Sequence, residues 1–216
     1  MTNDPETTDL LQRAAAGDVE ALGELFSRHR DRLRRMIQLR LDRRLSGRLD
    51  PSDVLQEAFL EVSRALGQYV ENAEQPFFLW LRLVTGRKLQ ALHRRHLGTK
   101  VRDAGREIAL HRGALPEASS VALAAQLLGR LTTPSQAAMR SELRLRVQEA
   151  LNGMNALDRE VLALRHFEQL TNKETAQVLE ITEAAASNRY VRALGRLKDL
   201  LQGLGEPLGV RERSSP

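Results

Sequence analysis

The sequence predicts an all-α protein made of two small helical domains joined by a flexible linker, with a helix-turn-helix in the second. Three observations lead there. Leu, Ala, Arg, Glu and Gln, the residues that lose least on entering a helix, dominate the 216-residue chain. Apolar residues recur at spacings of three and four, and strand-type alternation is hard to find. Glycine (14) and proline (7) are sparse, and the turn-forming residues gather between the two periodic stretches, at Gly98, Gly105, Gly113, Pro116, Ser119-Ser120 and Thr132-Thr133-Pro134-Ser135.

Helical periodicity begins near Asp9. Leu10, Leu11, Ala14 and Ala15 open an apolar stripe that Val19, Leu22, Leu25, Phe26, Leu33, Ile37 and Leu41 continue, while arginines crowd the other face from Arg28 to Arg48. At Asp50-Pro51-Ser52-Asp53 a new helix starts: Asp50 caps, Pro51 suits the first helical position and Asp53 is acidic in the first turn. Val54, Leu55, Ala58, Phe59, Val62, Ala65 and Leu66 share one face of it, and Asp53, Gln56, Glu57 and Glu61 lie on or near the other. It ends near Gly67. After a loop over 68–76, Phe77 to His96 reads as a helix that begins aromatic and turns basic, with three of the chain's eight aromatics (Phe77, Phe78, Trp80) within four residues.

These helices make a first domain over residues 1–97. A linker over 98–141 follows, holding a short helix at Val121 to Leu128, then a second domain over 142–204 and a polar, disordered tail over 205–216. In the second domain Asp158 to Glu168 is amphipathic, with Val161, Leu162, Leu164 and Phe167 for the core. Thr171-Asn172-Lys173-Glu174 has the form of a capping box, so a helix runs from Asn172 to about Leu179. Thr182 caps the next, whose buried stripe is Ala186, Tyr190, Ala193 and Leu197. With those four inside, Ala184, Ser187, Asn188, Val191 and Arg192 point outward and Arg189 and Arg196 flank them, as suits a helix that enters the major groove of DNA. Ala176 allows close crossing of the two helices. Glu180 occupies the turn position where glycine normally supplies a positive φ.

Charge and composition narrow the function. The net charge is +5, but residues 82–102 carry seven basic side chains (Arg82, Arg87, Lys88, Arg94, Arg95, Lys100, Arg102) and no acidic one, which points to a polyanion. Cysteine is absent and the five histidines are scattered, so no disulfide, metal site or cofactor is expected. The first nine residues lack an apolar signal region and no stretch reaches membrane-spanning length, so a cytoplasmic protein is expected. No cluster of carboxylates or arranged nucleophile suggests an enzyme.

Two motifs in fixed order resemble the extracytoplasmic-function (ECF) class of bacterial RNA polymerase sigma factors, over roughly residues 9–97 and 142–202. Asp53-Val54-Leu55-Gln56-Glu57-Ala58-Phe59-Leu60 is similar to the signature of that family's second region. The resemblance implies that Asp53, Gln56 and Glu57 bind the clamp helices of the polymerase β′ subunit. Phe77-Phe78-Leu79-Trp80-Leu81 and the basic run after it are similar to the promoter-melting stretch. Tyr69, Asn72, Phe77, Trp80, Arg87, Lys88, Arg94 and Arg95 are accordingly the candidates for the opened −10 element, although Phe77 and Trp80 fit a core equally well. Residues 160–197 resemble the fourth region, which reads the −35 element near the β flap, with Ala185, Ser187, Asn188, Arg189, Arg192 and Arg196 as the DNA set. The sequence departs from the family pattern at Leu79 (threonine), Arg87 (asparagine), Ala184 (glycine) and Ser187 (lysine).

The resemblance thus implies an alternative sigma factor whose partners are core RNA polymerase and promoter DNA, with an anti-sigma factor as a further partner. The competing reading is a stand-alone helix-turn-helix regulator, which leaves Asp53, Gln56 and Glu57 without a task.

Overall fold

A computed structural model describes residues 3–45, 47–97, 115–131 and 137–203; among these there are nine helices and no strand. They fall into two units. The first is residues 1–117 with the three-residue segment Phe167–Gln169, and the second is the remainder.

In the first unit, α1 (Pro5–Ala15) starts where Asp4 Oδ1 accepts the Thr7 N–H at 2.9 Å, with Pro5 at the first position. The apolar stripe that reads as continuous is in fact two helices. Gly17 takes φ +99°, a left-handed turn open to glycine, and Asp18 accepts the Glu20 and Ala21 N–H groups at 3.0 Å to start α2 (Val19–Arg40). Val19 therefore sits at the new helix's exposed start, 74% accessible, rather than in the stripe. α3 (Pro51–Glu71) opens on a complete capping box: the Asp50 side chain accepts a backbone N–H, and Asp53 Oδ2 accepts the Asp50 N–H at 2.9 Å. α4 (Phe77–Leu97) follows after a short turn. α2 packs on α1, α3 and α4, and α3 also meets α1 and α4. Leu25, Leu33, Met36, Ile37, Val54, Ala58, Val62, Phe77, Leu81 and Leu89 are wholly buried between them.

One carboxylate is sealed inside this unit. Glu168 pairs with Arg40 and with Arg82 Nε at 2.7 Å, and all three side chains are buried. Burial alone would raise the Glu168 pKa, but the two guanidiniums outweigh it and hold the carboxyl below its ordinary value.

In the second unit, α5 (Ser120–Leu131) packs on α6 (Ala137–Asn152). Of the stretch read as a linker, residues 120–131 and 137–141 are helical and 98–114 and 132–136 lie outside the described residues, as does the tail over 205–216. The helix expected over Asp158 to Glu168 begins earlier, as α7 (Ala156–Leu162), because Asn155 accepts the Leu157 N–H at 2.9 Å; it continues into a wider turn at Ala163–Phe167. α8 (Asn172–Leu179) carries the expected capping box, with Glu174 N–H on Thr171 Oγ1 at 3.1 Å and Thr171 N–H on Glu174 Oε2 at 2.7 Å. α9 (Glu183–Gly203) starts where Thr182 Oγ1 accepts the Ala185 N–H at 3.1 Å, and it packs on α6, α7 and α8. Of the expected stripe, Ala186, Ala193 and Leu197 are buried, while Tyr190 is half-buried.

Glu180 takes φ 53° and ψ 42°, the left-handed conformation expected of it, and the Ile181 N–H closes on Ala176 O at 3.0 Å. A side chain there costs about 1 kcal/mol, partly offset by the stiffer unfolded chain it gives. Glu180→Gly is therefore expected to raise stability by up to about 1 kcal/mol, read as a higher urea midpoint. A lower midpoint would contradict the strain.

Candidate docking and nucleic-acid surfaces

On α3, residues 53, 56, 57, 60, 61 and 64 follow helical spacing along one side. Asp53, Gln56, Leu60, Glu61 and Arg64 are exposed and Glu57 is half-buried. Asp53 has a second task in the capping box, so its substitution weakens the helix start as well as any contact. Leu60 is 55% exposed in the middle of this polar face. It was absent from the sequence-derived set, yet its signal is legible: a leucine four residues after Gln56, on the side opposite the core stripe.

The turn between α3 and α4 forms a recess of about 200 Å3 lined by Gln68, Tyr69, Asn72, Glu74, Gln75 and Trp80. The Tyr69 and Trp80 rings stack with centroids 4.6 Å apart at 26°. Tyr69 is buried and its hydroxyl donates to Gln75 O at 2.9 Å. Burial pushes the phenol pKa up, against a weaker opposing hydrogen bond from Asn3. Phe77, expected at the DNA surface, is 1% exposed and packs under both rings, at 5.7 Å from Tyr69 and 5.8 Å from Trp80. It is core, and it supports the recess from below; the first position of an amphipathic helix looks the same in sequence either way. Gln68, Glu74 and Gln75 line the recess without having been singled out, because their neighbourhood depends on how the chain turns.

The basic run divides. Arg87, Arg94 and Arg95 are exposed and form no ion pair among the described residues. Arg82 is instead buried on Glu168 and is not available to DNA. Lys88 Nζ lies 3.5 Å from Glu57 and 3.8 Å from Glu61, so a residue read as DNA-binding touches one read as polymerase-binding. Lys100 and Arg102 lie outside the described residues.

In the second unit, α8 and α9 form the helix-turn-helix. Ser187, Asn188, Val191, Arg192 and Arg196 are exposed on α9, and Ala185 is half-buried beside the cap. Arg189 is less free than its position suggests: its Nη1 donates to Asp158 Oδ1 at 2.8 Å, and the Asp158 side chain is only 5% exposed. The pair ties α9 to α7.

Among the described residues the chain is built of helices and carries a helix-turn-helix, a DNA-binding class of fold, and residues 144–197 match the family described as Sigma-70, region 4. The chain is 30% identical over 207 residues to the ECF RNA polymerase sigma factor SigD of Mycobacterium tuberculosis, covering 95% of this chain and 89% of that protein. It is also 30% identical over 207 residues to the ECF RNA polymerase sigma factor ShbA of Streptomyces griseus, covering 92% of this chain and 98% of that one. The solved structure of CnrH in complex with the cytosolic domain of CnrY shares the fold, with a TM-score of 0.54 at 23% identity over 92% of this chain and 99% of that one. The protein belongs to the ECF RNA polymerase sigma factors. It is an alternative sigma factor, a subunit that binds core polymerase and directs transcription initiation at promoter DNA.

Proposed function

We propose that residues 1–97 dock on the β′ clamp helices and capture opened −10 DNA, that residues 142–204 read −35 duplex near the β flap, and that 98–141 connect them. One observation carries the first assignment: the single α3–α4 hairpin presents a polar face with Asp53, Gln56 and Glu57 toward the start of α3 and a recess lined by stacked aromatics at its far end. The carboxylates and amide give orientation against a basic partner helix, and Leu60 gives apolar area.

A base swung out of the opened strand meets a π face at Trp80, backed by Tyr69, and donors and acceptors from Gln68, Asn72 and Glu74. Arg87, Arg94, Arg95 and Lys88 hold the phosphates. On α9, Ala185, Ser187, Asn188, Arg192 and Arg196 meet the groove and its backbone, with Val191 beside them. Arg189, anchored on Asp158, presents its remaining N–H groups to phosphate.

The chain makes and breaks no bond itself, and it acts where polymerase acts, in the cytoplasm. CnrH was solved with a partner, the cytosolic domain of CnrY, and an anti-sigma factor that holds this chain belongs to the same proposal.

Run-off transcription with purified core polymerase on genomic fragments, with and without the protein, tests the assignment and yields a promoter. On that promoter Asn72→Ala is expected to lower open-complex formation about fivefold or more, the loss of roughly 1 kcal/mol of base contact, while core affinity stays at the parent value. Unchanged strand opening would remove the recess from DNA recognition.

A further inference from the structure

We infer that Glu61, together with Glu57, holds Lys88 back from nucleic acid until polymerase docks, so that this three-residue cluster couples the two surfaces. The inference rests on the roles proposed above for Glu57 and Lys88. Glu57 and Glu61 stand one helical turn apart on α3, and both carboxylates reach the same ammonium on α4, at 3.5 and 3.8 Å. Among Arg87, Lys88, Arg94 and Arg95, the lysine alone faces carboxylates among the described residues.

Its position has two consequences. A phosphate that approaches Lys88 competes with two carboxylates for the charge and is repelled by both. Glu57 also belongs to the docking face, so a cationic side chain of the clamp that takes Glu57 lowers the negative charge around Lys88 and leaves Glu61 as its one carboxylate partner. Binding of polymerase then favours binding of DNA. Linkage makes the effect reciprocal: DNA that draws Lys88 away from Glu57 raises the affinity for polymerase by the same factor. Because the three side chains are 24%, 42% and 49% exposed, screening limits the effect to about two- to fivefold. That suits a bias against unproductive binding to stray single strands rather than a tight lock.

The test uses the full chain without polymerase and a fluorescent oligothymidylate of about 20 nucleotides. Glu61→Gln is expected to bind it about two- to fivefold more tightly than the parent. Glu71→Gln makes the same charge change on the same helix, at an exposed residue with no ion pair among the described residues, and is expected to gain clearly less. In a Lys88→Gln background, Glu61→Gln is expected to gain no more than Glu71→Gln. The inference is overturned if Glu61→Gln and Glu71→Gln behave alike, or if the gain persists without Lys88. Lys88→Gln in the reconstituted holoenzyme separates the two levels. If it opens promoters like the parent, the DNA role of Lys88 is wrong and the coupling falls with it. If it is impaired while Glu61→Gln gains nothing in the free chain, the DNA role stands and only the coupling is lost.

Discussion

Glu57→Lys is expected to lower affinity for core RNA polymerase about 30-fold or more, the equivalent of roughly 2 kcal/mol upward, and to abolish transcription directed by the protein at subsaturating concentration. Two effects add. The substitution removes an acceptor from the centre of the α3 face and places a cation against a partner argued to be basic. It also sets the new ammonium beside Lys88, whose Nζ is 3.5 Å from the present Glu57 carboxylate, so the two cations repel and the local surface is disturbed from within. Glu57→Gln separates these contributions, since it loses the charge without reversing it; a smaller loss is expected. Asp53 is a poorer probe of the same face, because its carboxylate also closes the capping box of α3. The measurement is fluorescence titration of labelled protein with core enzyme. A Glu57→Lys chain that binds core within threefold of the parent would remove α3 from the docking surface.

Asp158→Ala is expected to destabilise the second unit by about 2–3 kcal/mol. The Asp158 side chain is 5% exposed, and its Oδ1 accepts from Arg189 at 2.8 Å. Removing it leaves a cation without its acceptor, which in a fully buried pair costs about 3–5 kcal/mol; Arg189 keeps 29% exposure, so water relieves part of that. Asp158 also stands in the first turn of α7, where a negative charge is favoured by the helix dipole. The pair spans α7 and α9, so its loss loosens the hold on α9, and the −35 recognition proposed for that helix is expected to weaken along with stability. Asp158→Asn retains an acceptor oxygen and is expected to lose less. Urea unfolding followed by circular dichroism checks the order, parent above Asn above Ala; an Ala variant within 0.5 kcal/mol of the parent would show that α9 is held by its apolar stripe alone.

The starts of α3, α8 and α9, the small-residue stripe of α9 and the strained Glu180 were legible in the sequence, because each depends on residues within a few positions of one another. Asp50 with Asp53 and Thr171 with Glu174 close their boxes over three residues, and the stripe through Ala186, Ala193 and Leu197 follows from the helix repeat. The division into α1 and α2 was also local, carried by Gly17 and Asp18, but a stripe that stays in phase across the break conceals it.

What the sequence did not reveal was which polar groups are free to act. Periodicity assigns a side chain to a face of its own helix and says nothing of what another helix lays over that face. Phe77 and Trp80 stand three residues apart, yet only Phe77 is sealed beneath the others. Arg82 and Arg87 belong to one basic run, yet Arg82 is spent on Glu168, 86 residues away. Lys88 and Arg189 meet their carboxylates on other helices. Local chemistry therefore determined the helices and their ends, while tertiary packing decided which charges remain for polymerase and DNA, because an ion pair forms wherever the fold brings opposite charges within a few ångströms, whatever their separation along the chain.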